Sequence, residues 1–113
     1  MDRGQETVAR VYAMTSTFPS EERFGLTNQI RRAAVSVLSN IAEACGRGTS
    51  KSTVNFLFIA RDSLYEVETQ GIIAFDLKYC TESELEALLK QIETCKRLLN
   101  GFIRYYESKT TNN

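Results

Sequence analysis

Pro19 is the only proline in this chain, and most of the long stretches around it are also free of glycine. Proline removes a backbone donor and breaks helices, and glycine weakens them, so a chain that avoids both can build long helices. The run from Gln29 to Arg47 shows the matching pattern, with Ile30, Ala33, Ala34, Val37, Leu38, Ile41, Ala42 and Cys45 at helical spacing. The few breakers mark the joints. Pro19 and Gly25 bracket a first connection, and Gly46 and Gly48 stop the second helix. A first helix is expected from Gln5 to Thr17, with Val8, Val11, Tyr12, Thr15 and Phe18 on one side. Thr27 is the expected N-cap of the second helix. Ser50 is expected to cap the third, which should continue to Leu77 with Gly71 as its one weak point. Thr81 and Glu84 form a capping box, and Glu82, Glu84 and Glu86 set negative charge at the positive end of the fourth helix. That helix is expected to bury Leu85, Leu88, Leu89, Ile92, Cys95, Leu99, Phe102, Ile103 and Tyr106, with the tail fraying from Ser108. Short connections between long helices favour antiparallel neighbours. The expected fold is therefore all-α: one domain over residues 1–113, an antiparallel up-down-up-down four-helix bundle.

Composition narrows the function. A 42% hydrophobic and 25% charged content is that of an ordinary globular protein. No apolar run approaches the roughly 20 residues that span a bilayer, and the polar N-terminus is no signal peptide, so a cytoplasmic location is expected. Cys45, Cys80 and Cys95 are an odd set with no close pair, expected as free, buried thiols. The chain has no histidine. With it go the commonest general base and the usual way to complete a cysteine metal site, so no catalysis, cofactor or metal is expected. Net charge is zero but uneven: Arg23, Arg31, Arg32, Arg47, Lys51 and Arg61 stand against Glu43 alone, a local net of +5. That is a patch within a neutral protein, not a generally basic nucleic-acid binder.

Three groups of residues carry candidate functions. Arg31, Arg32, Arg47, Lys51 and Arg61 have the chemistry to contact phosphate oxygens, or else to pair with Glu43, Glu66 and Glu68. Asn40 and Glu43, three residues apart on one helix face, fit a polar network that fixes register, joined by Glu66 and Glu68, or else a small-ligand site. Glu66 and Glu68 are two apart, on different faces, and make no catalytic carboxylate pair. The third helix is apolar on two sides: Val54, Leu57, Phe58, Leu64, Tyr65, Ile72 and Phe75 on one, Phe56, Ile59, Ala60, Val67, Gly71 and Ala74 with Ser63 on the other. Two apolar sides need two packing partners, neighbouring helices or a second subunit. Gly46 to Lys51 is too short for a phosphate loop and follows no strand, although a helix N-terminus suits an anion. Tyr105 and Tyr106 either cover a core or stack on bases.

The chain resembles the bacterial 23S rRNA intervening-sequence proteins, and a sister branch, the accessory variability determinants of diversity-generating retroelements. The resemblance rests on Phe18, Pro19, Glu22, Phe24, Gly25 and Leu26, then Gln29 to Ala34, Ser36, Val37, Asn40 to Glu43, Gly46 and Arg47. It extends through Phe56, Leu57, Ile59, Ala60, Arg61, Ser63, Leu64, Glu66, Glu68 and Gln70. Leu38 stands where the family usually has proline and Ala44 where it has glycine, which predicts a straighter second helix. The resemblance implies a ring-shaped homopentamer, and so gives the second stripe (Phe56, Ile59, Ala60, Ser63, Val67, Gly71) to the subunit interface. It also implies a nucleic acid, RNA or DNA, or a nucleic-acid enzyme such as a reverse transcriptase as partner. The expectation is a non-enzymatic oligomer with weak, salt-dependent nucleic-acid binding; the alternative is a scaffold that recruits a protein.

Overall fold

The computed structural model describes residues 2–112, with side chains for residues 4–109. Four helices follow one another: α1 (Asp2–Thr15), α2 (Leu26–Cys45), α3 (Ser50–Asp76) and α4 (Glu82–Asn112), with one 3-10 turn, Ser20–Glu22, between the first two. No strand occurs among the described residues. Each helix packs on its neighbours in sequence, and α4 closes the square on α1. Side-chain pairing shows the directions. Ser36 meets Ser63 while Ala44 meets Thr53, so α2 and α3 are antiparallel. Arg61 meets Asn100 and Glu68 meets Lys96, which sets α3 against α4 in the same way. The result is the up-down-up-down bundle, a rod of 50 × 24 × 20 Å.

The core is aliphatic. Val11, Ile30, Val37, Leu64, Val67, Leu88 and Ile92 are fully buried, each worth about 1.5–3 kcal/mol relative to exposure. Both sides of α3 are used inside the chain, because α2 and α4 flank it. Ala60, Ser63, Val67 and Gly71, expected at a subunit interface, are buried within the single chain. Gly71 has a specific reason: a Cβ there would sit 2.9 Å from Leu88 Cδ2, so its missing side chain lets α4 approach.

The joints were legible to within a residue or two, whereas α1 starts at Asp2, three residues before the expected Gln5. Thr81 and Glu84 make the expected reciprocal box, at 3.1 and 2.9 Å. At α3 the cap is Thr49, not Ser50: its hydroxyl accepts the Ser52 amide at 3.2 Å. Thr27 is no cap either. It lies inside α2, which starts at Leu26, and the Leu26 amide donates to Glu22 Oε1 at 3.1 Å. A carboxylate from the preceding turn does the capping. With leucine and alanine at positions 38 and 44, α2 runs unbroken for 20 residues. Helix α4 continues through Ser108 to Asn112, so the expected fraying is not seen. Phe102, expected in the core, is 54% exposed. The thiols are free but only Cys95 is buried; Cys80 is half-buried and Cys45 is exposed.

Candidate interaction site

The five candidate phosphate-binding residues do not form one patch. Arg31 faces α1: its Nε donates to Thr15 Oγ1 at 2.8 Å and its guanidinium lies 4.4 Å from the Tyr12 ring centroid. Arg61 faces α4, donating to Asn100 Oδ1 at 2.8 Å and covering Phe58. In a four-cornered bundle those two seams lie on opposite sides. Arg47 pairs with Glu43 one turn back and lies over Phe56. Only Arg32 and Lys51 are exposed without a side-chain partner among the described residues. Three of the five are thus committed to contacts within the chain, and a local surplus of charge in sequence disperses around the rod.

The polar network forms with different members. Asn40 donates to the Ser36 carbonyl and hydroxyl at 2.8 and 3.0 Å, Ser36 shares a 2.9 Å hydrogen bond with Ser63, and Ser63 donates to the Ile59 carbonyl. Small hydroxyls let α2 and α3 approach, and the hydrogen bonds fix their register. Glu43 points to solvent and takes Arg47. Glu68 pairs with Lys96 at 3.4 Å, and Glu66 is exposed. Of the expected interface, Ile59 remains exposed, at 46%, and Phe56 is half-buried against the core.

Two features were not anticipated. The first is the turn before α2. Glu22 accepts the Leu26 amide through Oε1 and the Tyr79 hydroxyl through Oε2 at 2.9 Å, and Tyr79 packs on Phe18 with centroids 5.5 Å apart. These bonds hold the Glu22 carboxyl below the usual range, the Leu26 amide contributing most, and the hydrogen bond to Glu22 raises the Tyr79 hydroxyl. A signal was present, since Glu22 stands four residues before the helix start, but a long-range tyrosine partner has none. The second is a stripe on α4, Leu98, Phe102 and Tyr105, with exposures of 44%, 54% and 52%. The three share one helix face, spaced four and three residues apart. This stripe lies on the α1 side: Leu98 and Phe102 line a cavity together with Gly4. Ile59 lies at the α2–α3 seam, one turn before Ser63. The two apolar patches therefore face opposite ways.

Among the described residues no cluster of three histidine, cysteine or carboxylate side chains could hold a metal. No helix among them is long and apolar enough to cross a membrane.

The family model of the 23S rRNA-intervening sequence proteins matches residues 1–101. No curated protein matches the chain. A crystal structure of a protein with unknown function from the S23 ribosomal protein family of Bacteroides thetaiotaomicron is similar in fold. It is 24% identical, with a TM-score of 0.81 over 90% of this chain and 95% of that one.

Proposed function

This chain belongs to the 23S rRNA-intervening sequence protein family, and from that premise we propose that it is a non-enzymatic, self-assembling interaction protein of the cytoplasm, working as a ring of five copies. The observation that carries the proposal is the pair of apolar patches on opposite sides of the rod. A ring requires each copy to offer two different surfaces, one to each neighbour, whereas a two-fold dimer uses the same surface twice. Leu98, Phe102 and Tyr105 on α4 supply one surface, and the exposed Ile59 on α3, with the half-buried Phe56 beside it, supplies the other. Exposed apolar groups collected on one face mark interaction sites more often than scattered ones do.

Light scattering of the intact chain tests the assembly. Ile59→Glu should give a folded monomer, because a carboxylate buried without a partner costs about 3–5 kcal/mol. A wild-type monomer at micromolar concentration would overturn the reading.

Nucleic-acid contact is the second function, favoured by Arg32 and Lys51, which are exposed and have no side-chain partner among the described residues. One such pair per subunit is weak, and repetition around the ring multiplies it. Replacing both by alanine should weaken binding to RNA or DNA and reduce its salt slope by about one per lost phosphate contact. No binding at low salt would leave a scaffold that recruits a protein, such as a nucleic-acid enzyme.

A further inference from the structure

A cavity of about 330 Å³ opens at the end of the bundle where α2 turns into α3. Its floor is apolar and buried: Ala44, Leu57, Cys95 and Leu99 are each at most 4% exposed. Its rim is polar: Arg47, Thr49 and Ser50, from the turn and the start of α3. Its volume falls at the lower end of the roughly 300–1,000 Å³ of small-molecule sites, and its lining, apolar with a few polar groups to one side, is of the same kind.

The rim selects the charge of a ligand. Helix α3 carries no acidic residue in its first turn, so no carboxylate there offsets the positive end of a 27-residue helix, where the Thr49 hydroxyl takes one of the free amides. Arg47 lines the cavity and pairs with Glu43, and Lys51 follows Ser50 at the same end, so these three residues together carry a net charge of +1. The floor selects for hydrocarbon. A polar solute would have to leave water against alanine, leucine and a buried thiol that offer it almost no hydrogen bonds.

We propose that this cavity is a binding site for a medium-chain alkyl carboxylate, with its chain on the floor and its carboxylate at the rim, held by the start of α3 and by Arg47, whose exposed ion pair with Glu43 it replaces. The floor and rim belong to one chain, but Leu98 and Phe102, which also line the cavity, are part of the α4 surface given above to assembly, so the two proposals share one wall.

Calorimetric titration of the full chain with decanoate below its micelle concentration, beside decanol as the headless control, tests it. One decanoate per chain is expected, with decanol about tenfold weaker or more, a difference of roughly 1.4 kcal/mol. Ala44→Leu and Cys95→Leu, which place carbon on the floor, should each abolish binding. Arg47→Gln with Lys51→Gln should bring decanoate down to the affinity of decanol and leave decanol unchanged. Cys45 also lines the cavity and is exposed, so its reaction with a thiol reagent should slow when decanoate is present and not when acetate is. This readout needs no floor variant to fold. Absence of decanoate binding, equal affinity for decanol, or Cys45 labelling that decanoate leaves unchanged would each overturn the proposal. So would undiminished binding in a floor variant whose helical content matches the parent. Light scattering on the same samples separates this outcome from failure of the ring.

Discussion

The two ends of the bundle are built on opposite principles. At one end, the turn before α2 meets the turn after α3. Phe18 and Tyr79 fill the space between helices, Glu22 ties the start of α2 to Tyr79, and burial raises the Cys80 thiol. At the other end, alanine, cysteine and glycine stand where large side chains would close the rod: Ala44, Cys95 and Gly4 line an open cavity. The helices at that end are no less regular. Thr53 donates to the Ala44 carbonyl at 3.2 Å and Thr49 caps α3. Closure of an end is therefore separable from formation of its helices, and depends on whether a few large side chains reach across the axis.

The same substitution at the two ends should have unequal effects. Phe18→Ala, at 9% exposure in the closed end, should cost about 3–5 kcal/mol in chemical denaturation. If it cost less than Phe102→Ala, the contrast between the ends would fail. Next in size, Gly71→Leu should cost about 1–3 kcal/mol or more by overpacking, because Leu88 Cδ2 already occupies the space a side chain needs. It should also separate α3 from α4 near the closed end, visible as faster amide exchange there.

The third test uses pH. The carboxyl of Glu22 is held low in the folded chain. Its contribution is therefore present above the ordinary carboxylate range and is lost as pH falls through the lowered folded value. Glu22→Gln should destabilise the chain at neutral pH and flatten the acid limb of its stability profile. An acid limb as steep as the parent's would remove Glu22 from the account of the closed end. Smallest of all, Phe102→Ala should change the stability of one subunit by no more than about 0.5 kcal/mol, as for most surface positions. It should nevertheless shift the light-scattering mass if the α4 stripe is an interface.

Local chemistry was enough for the helices themselves. Scarcity of proline and glycine, period-3.6 apolar residues in α2 and the Thr81–Glu84 box are properties of short stretches of chain, and they read the same before and after folding. The fold class and helix order followed from them, as did the three joints to within a residue or two. What a residue faces across the bundle is not a local property. Periodicity shows that α3 has two apolar sides, but only packing shows that α2 and α4 cover Ala60, Val67 and Gly71 while Ile59 stays outside. The same holds for charge. Arg31 and Arg61 belong to one basic segment in sequence, yet they end in seams on opposite sides, bonded to Thr15 and Asn100, residues 16 and 39 positions away. Where the helices form and stop was set locally in the chain, because backbone propensity and capping act over a few residues. Which side chains are left for partners was settled by packing alone, because exposure depends on atoms brought together from far along the chain.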